Sequence, residues 1–247
     1  MKFKLRPVLF DMEQMYCIPP SKKRFEKYLY MLQGKDKNDM VLPIGGYNPM
    51  GNDHFIQKLH SLITLDAEEI AKRVINEINK TLNEEVEHIF EVVLNLADDI
   101  GGAWSHRFMT DYSSKFQIEP LLKRNFCTPY FWTSEDLNEI LIARRIRAYI
   151  YRTCFQINNG PPLSLEDHIA QEIFVEKRIA SKRDNQGTLN LERLTSFYEK
   201  NYNSEDYGLI FNFLYGDDIS KSLGYKTYGC KMGEASQFIV EMANTKV

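Results

Sequence analysis

Helical periodicity covers most of this chain and constrains its fold more than any other feature. The apolar residues Ile70, Val74 and Ile78 recur every fourth position, so they lie on one face of a helix. Strand-like alternation is limited to 41–44 and 225–230. The sequence therefore predicts an all-α, mainly helical fold with little strand. Helical spacing recurs over residues 22–32, 66–79, 81–100, 104–116, 120–126, 134–157, 164–180, 189–202 and 204–215.

Helix-breaking residues set the N-terminal part of the chain apart from the rest. Residues 1–53 are predicted to form an irregular N-terminal arm that contains one short helix and packs on the body. A loop rich in glycine and proline, including Gly45, Gly46 and Pro49, follows this helix. Residues 54–247 contain neither a low-complexity linker nor a repeat of fixed period. A single helical domain is therefore predicted for residues 54–247.

Composition and charge exclude several classes of protein. The 247 residues include 31 Lys and Arg and 34 Asp and Glu, and this near balance argues against a dedicated nucleic-acid or membrane-surface protein. No segment approaches the roughly 20 apolar residues that a membrane span requires. The amino terminus lacks the apolar run of a signal peptide, and the four cysteines lie far apart without a CxxC pair. We therefore expect a cytoplasmic protein with reduced thiols.

Residues 134–157 form a predicted helix that is apolar on two faces and also carries arginines. A helix of this kind is normally packed on both sides, yet Arg144, Arg145, Arg147 and Arg152 fall within or beside one apolar face, near Tyr151. In one interpretation the arginines pair with structural carboxylates. In the other, some of them line a cavity for a small anionic or aromatic molecule, because a guanidinium presents a rigid fork to carboxylate and phosphate. Nucleic acid is the least favoured ligand because of the charge balance.

The segment that begins with Gly101-Gly102 is the first choice for a functional patch. It concentrates Trp, His, Arg and Asp at the start of a predicted helix, where anions are favoured. The longer phosphate-binding fingerprints are absent, and Arg107 and Asp111 have the spacing of a simple surface ion pair. Trp132, just before the arginine-bearing helix, is a candidate for the same pocket wall. The candidate ligand-binding residues are Trp104, His106, Arg107, Asp111, Trp132, Arg144, Arg147 and Tyr151.

A metal centre is a second possibility, with weaker support. Glu85 and His88 form one ExxH motif, whereas a di-iron bundle uses two. His168 and Glu172, one helical turn apart, are the candidates for a second ligand pair. There is neither an HExxH motif nor a GxSxG elbow. The sequence thus assigns neither a catalytic residue nor a cofactor, and an isolated ExxH also fits a surface histidine that pairs with an acidic residue.

The C-terminal region is rich in aromatic residues. Residues 197–228 contain nine of them, six of which are tyrosines. Most are expected in the core, and any exposed share would mark a subunit contact.

Three functional hypotheses follow from the sequence as a whole. The first is a non-catalytic module that binds a small anionic or aromatic ligand, and the alternatives are a metal-dependent enzyme with a carboxylate–histidine centre and a self-associating interaction protein.

Overall fold

The computed structural model describes residues 1–82, 88–100, 106–179 and 191–244. These ranges contain twelve helices and five short strands, so the prediction of a mainly helical fold is confirmed. The chain divides into two compact units, Met1–Ile150 and Tyr151–Val247, and the boundary falls inside helix α7. The elements are β1 (Lys2–Leu5), α1 (Leu9–Tyr16), α2 (Lys22–Gln33), α3 (Asp53–Thr64), α4 (Ala67–Asn79), β2 (Ile89–Val92), β3 (Asn95–Ala97), α5 (Arg107–Phe116), α6 (Glu119–Leu122), β4 (Phe126–Cys127), β5 (Tyr130–Trp132), α7 (Glu139–Asn159), α8 (Leu165–Ile179), α9 (Leu191–Asn201), α10 (Tyr207–Tyr215), α11 (Asp217–Ser222) and α12 (Glu234–Asn244).

The strands of the first unit are all parallel. β1, β2 and β4 pair in that order, and β3 pairs with β5. β3 follows β2 within a few residues, and β5 likewise follows β4. The stretch from β2 to β3 therefore runs beside the stretch from β4 to β5, from the three-stranded sheet to the two-stranded one. The carboxyl ends of these stretches are Ala97 and Trp132, which are partners in the register. Whatever follows these two residues therefore emerges at the same edge.

The helix predicted over 81–100 is wrong where the structure describes it, because the chain forms β2 and β3 there. Residues 92–98 are consecutively buried, which is typical of a parallel strand covered on both sides. A short apolar run of this kind fits a buried helix equally well by periodicity alone. The strands expected at 41–44 and 225–230 are not formed, and residues 83–87 lie outside the described residues.

Residues 1–53 contain β1, α1 and α2, followed by the glycine-rich loop that leads into α3. This loop is held against β3 by a buried asparagine. Asn95 accepts a hydrogen bond from Gly46 N (3.0 Å) and donates one to Pro43 O (2.8 Å). The hydroxyl of Tyr47 donates to Leu94 O (2.9 Å). These contacts hold the loop that leads into α3 against the strands.

The outer edge of β1 is occupied by a side chain. Lys2 and Arg6 donate their N–H groups to His88 O and Val92 O on the β2 side. Because the N–H and C=O groups of successive residues in a strand point to opposite sides, those of Phe3 point away from β2. There Asn79, at the end of α4, accepts from Phe3 N (2.9 Å) and donates to Phe3 O (2.8 Å). The carboxamide thus satisfies both backbone groups at this position.

The second unit is helical in its described part and encloses an aromatic cluster. The ring of Phe213 lies 5.8 Å from that of Phe197 and 5.8 Å from that of Phe238. Of the nine aromatic residues in 197–228, Phe211 and Phe213 are buried, six are half-buried and Tyr202 is exposed, so the expectation that most of them lie in the core is not met. None of the helices described in either unit has both the length and the apolar character needed to cross a membrane.

Candidate functional site

Polar and charged side chains gather where β3 and β5 end. Asp98 and Asp99 follow β3, and Thr133, Ser134 and Glu135 follow β5. The helices α3, α5 and α7 add basic residues to this group. We call the whole set the strand-end cluster, and it comprises His54, Lys58, Asp98, Asp99, Arg107, Thr133, Ser134, Glu135 and Arg145.

The first part of the cluster is a histidine–aspartate pair. His54, in the first turn of α3, donates through Nε2 to Asp98 Oδ1 at 2.9 Å. The side chain of Asp98 is 3% exposed and that of His54 is 33% exposed. The same aspartate oxygen accepts from Ile100 N (3.2 Å) and lies 2.8 Å from Thr133 Oγ1. The carboxylate is therefore held from several directions, while the imidazole reaches solvent.

The second part of the cluster centres on Asp99. Its Oδ1 accepts from Ser134 N (2.9 Å), and its Oδ2 accepts from Ser134 Oγ (2.6 Å) and from Arg107 Nη1. Burial raises the pKa of Asp99, but the hydrogen bonds from Ser134 and Arg107 outweigh it and hold this pKa below its ordinary value. Asp99 is therefore ionised at neutral pH.

Thr133 connects the two aspartates. Its hydroxyl oxygen accepts from Asp99 N (3.1 Å) and lies 2.8 Å from Asp98 Oδ1 and 3.0 Å from Asp99 Oδ1. A hydroxyl has one proton to donate, so it serves one of the two carboxylates at a time. This residue makes the cluster one continuous hydrogen-bonded network.

The third part of the cluster is a chain of alternating charges. Glu135 accepts from Arg107 Nη2 (3.0 Å) and from both terminal nitrogens of Arg145 (2.5 and 2.9 Å). Lys58 Nζ donates to the backbone oxygen of Glu135 (2.5 Å). The guanidinium of Arg107 also lies over the ring of Trp132 at 4.9 Å, within the range of a cation–π contact. Burial lowers the pKa of Arg107, and Asp99 and Glu135 outweigh this effect and raise it above its usual value.

The charges of the cluster are layered. The side chains of Asp98, Asp99 and Glu135 are 3%, 4% and 13% exposed, whereas those of Arg107 and His54 are 31% and 33% exposed. Carboxylates thus form the inner layer, and the side chains that reach solvent bear N–H donors. Arg107 uses three of its five N–H groups within the described part of the chain, on Asp99, Ser134 and Glu135. Among the residues that the structure describes, Nε–H and one Nη2–H have no acceptor.

The structure brings together two of the predicted ligand-binding residues, Arg107 and Trp132. Trp104 lies outside the described residues. His106 is the N-cap of α5, where its Nδ1 accepts from Met109 N (3.4 Å). Asp111 forms an ion pair with Lys115 one turn later in α5 (2.5 Å).

The three predicted residues on α7 lie in different surroundings. Arg147 donates to Glu77 Oε2 (2.5 Å), which matches the interpretation that these arginines pair with carboxylates. Arg144 is half-buried. Tyr151 belongs to the second unit, where Arg178 lies 5.9 Å from the centre of its ring.

The proposed metal ligands that the structure describes are His88 in the first unit and His168 and Glu172 in the second. Glu85 lies outside the described residues, and His88 is exposed just before β2. His168 is buried in α8, where burial lowers its pKa and Nδ1 donates to Ser164 O (2.7 Å). Glu172 binds Arg152 through two hydrogen bonds (2.7 and 2.6 Å). Among the residues that the structure describes, no group of three or more His, Cys, Asp or Glu is placed to hold a metal ion.

Sequence reasoning missed His54 and Thr133 as site residues, and it considered Asp98 only as a further oxygen ligand for the metal centre. The available signal was a buried run followed at once by polar residues, in Leu94–Asp99 and again in Phe131–Glu135. That signal indicates a site only when the runs are parallel strands, because only then do their ends share an edge.

Comparison of the chain with known protein families, with curated proteins and with solved structures gives no match. The geometry of the strand-end cluster is therefore the basis for a proposed function.

Proposed function

We propose that the Met1–Ile150 unit binds a small anionic molecule at the strand-end cluster. The observation that carries this proposal is the layering of charge: carboxylates are buried beneath the side chains of Arg107 and His54, which reach solvent. Parallel strands joined by helices bind ligands outside their carboxyl ends, which is where this cluster lies. Of the two ligand classes expected from the sequence, anionic and aromatic, this proposal selects the anionic one.

The arrangement of Arg107 supports an anion rather than a cation as the ligand. Asp99 and Glu135 fix one side of its guanidinium, and the ring of Trp132 supports its face. A guanidinium that is already oriented loses little side-chain entropy when an anion accepts from its two remaining N–H groups. Lys58 adds a second cation, because its ammonium group has three N–H donors and one is used on Glu135 O.

Titrations with inorganic phosphate and with succinate test this proposal. Both tryptophans of the chain, Trp104 and Trp132, belong to the Met1–Ile150 unit, so their fluorescence, together with calorimetry, reports binding there. We expect Arg107→Lys to weaken binding about tenfold or more, because lysine keeps the charge but loses the fork, a difference of about 1.4 kcal/mol. Arg124→Met is the matched control, since Arg124 pairs with the exposed Asp39 (2.8 Å) in the same unit.

Two results would contradict the proposal. One is that the wild-type chain binds neither anion. The other is that Arg124→Met weakens binding as much as Arg107→Lys does, since the binding would then reflect general surface charge.

We also retain as proposals the cytoplasmic location and the self-association that the sequence predicts. The location is supported by four free thiols, of which Cys127, Cys154 and Cys230 are buried. Burial raises the pKa of Cys154 to about 12 and that of Cys230 to about 11, which keeps these thiols protonated and unreactive. Cell fractionation tests the location, and light scattering at several protein concentrations tests self-association.

A further inference from the structure

The pair formed by His54 and Asp98 differs from the other histidine–carboxylate pair on the same helix. His60, also on α3, contacts Glu13 at 3.2 Å, with side chains that are 53% and 30% exposed. Asp98 is almost fully buried and is held by Ile100 N and by Thr133. A half-exposed imidazole with a fixed, buried carboxylate behind it has the geometry of a general base and its orienting group.

The hydrogen bond to Asp98 also determines which nitrogen of His54 is basic. Asp98 Oδ1 accepts from Nε2, so Nε2 carries the proton in the neutral imidazole and Nδ1 holds the free electron pair. A third of the side chain is exposed, so water or a ligand can reach this ring. Asp98 also stabilises the imidazolium that forms when Nδ1 accepts a proton.

We propose that His54 is a catalytic general base and that the strand-end cluster hydrolyses phosphate monoesters. This inference rests on the proposed function, because the phosphoryl group would be the anion that Arg107 and Lys58 bind. Phosphate suits these donors, since it offers several oxygens to a guanidinium fork and an ammonium group. The same donors neutralise charge on the phosphoryl oxygens during reaction, which lowers the barrier.

The reaction balances with water as the co-reactant. Nδ1 of His54 removes one proton from a water molecule, and the water oxygen forms a bond to phosphorus with its electron pair. The bond from phosphorus to the ester oxygen breaks, and its electron pair stays on that oxygen. The departing oxygen lies on the opposite side of phosphorus and takes a proton from solvent, and the imidazolium releases its proton to solvent. The products are inorganic phosphate and an alcohol, and His54 is again neutral.

The test measures binding and turnover in the full chain. Inorganic phosphate is the binding probe and p-nitrophenyl phosphate is the substrate. We expect His54→Gln to lower kcat about 100-fold or more, the usual contribution of a general base, while the Kd for phosphate changes less than about threefold. Glutamine can still donate to Asp98 but cannot accept the proton. His60→Gln is the matched control and should leave kcat unchanged.

Asp98 is a positioning residue for His54. The variant Asp98→Asn tests this role, because a purely structural contribution would change stability but not the kcat of the folded protein. Asp98→Asn should lower kcat about tenfold or more while KM changes less than about threefold, because the neutral amide no longer fixes the proton on Nε2 of His54. His54→Asn also removes the base, and it replaces His54→Gln in the test if the glutamine variant does not fold.

The outcomes separate the two proposals. Phosphate binding without any wild-type turnover overturns the hydrolysis and leaves the binding site standing. Absence of both overturns both proposals. Turnover that survives in the folded His54 variant, or that falls equally in His60→Gln, also overturns the role of His54.

Discussion

Replacing Glu135 by glutamine should destabilise the Met1–Ile150 unit, because this carboxylate is shared by two arginines. It accepts from Arg107 (3.0 Å) and from both terminal nitrogens of Arg145 (2.5 and 2.9 Å). Glutamine preserves the size of the side chain but removes its charge. Two partly buried guanidinium groups then lose one of their anionic partners.

The exposure of these groups sets the magnitude of the effect. Removing one partner from a buried ion pair costs about 3–5 kcal/mol, whereas exposed pairs are worth about 0.2–1 kcal/mol. The side chain of Glu135 is 13% exposed and that of Arg145 is 21% exposed, which places this network between the two limits, nearer the buried one. We therefore expect a loss of about 2–3 kcal/mol in the free energy of unfolding. In a unit of this size that corresponds to a fall in Tm of roughly 4–12 °C.

Urea denaturation followed by tryptophan fluorescence measures this loss, since both tryptophans lie in the same unit. Glu139→Gln is the matched control, because Glu139 pairs with Arg73 at 2.5 Å with side chains that are 64% and 62% exposed. The control should change stability by less than about 1 kcal/mol. The reasoning is refuted if the two variants lose equal stability, or if Glu135→Gln is as stable as the wild type.

Two further predictions concern the same unit. A Cβ on Gly46 would lie 2.9 Å from Tyr130 Cε1, so Gly46→Ala should lower the free energy of unfolding by about 1–3 kcal/mol through overpacking. Gly45→Ala is the control in the same urea assay and should be almost neutral, because its Cβ would lie 4.0 Å from the nearest atom. Because the folded state holds the pKa of Asp99 below its unfolded value of about 3.9, this group stabilises the fold above that pH and its contribution is lost as pH falls through the lower, folded pKa. Unfolding measured between about pH 2 and about pH 6 should therefore show a weaker acid dependence in Asp99→Asn, and an unchanged dependence would count against the hydrogen bonds assigned to this carboxylate.

Helix α2 illustrates what could be predicted from sequence. The predicted span 22–32 agrees with the observed Lys22–Gln33, because both ends carry local signals. Ser21 accepts from Arg24 N (3.4 Å) as the N-cap. Gly34 ends the helix with a φ of 69°, a conformation that favours glycine. These capping signals lie within one helical turn of the helix end that they determine.

The candidate site depends on contacts between distant residues. Arg107 was predictable as a candidate because it follows the Gly101-Gly102 pair at the start of a predicted helix, and Trp132 because it lies just before the arginine-bearing helix. His54 and Asp98 lie 44 positions apart, and neither has a neighbour in sequence that indicates the other. Their pairing follows from the parallel arrangement of β3 and β5 together with the loop that Asn95 holds in place. Periodicity alone interpreted β3 as helix and predicted no element at β5, so this edge could not be foreseen.

The side chain of Asn79 has a consequence for the behaviour of this protein at high concentration. A free strand edge is a template on which another chain can add a strand, and this leads to aggregation. A carboxamide carries one donor and one acceptor in nearly the same arrangement as a peptide group, so Asn79 acts as a one-residue strand on β1. Because α4 supplies this cap within the same chain, the sheet is terminated at Phe3 at any concentration. Protection against strand addition at Phe3 therefore depends on the side chain of Asn79, whose amide supplies both the donor and the acceptor.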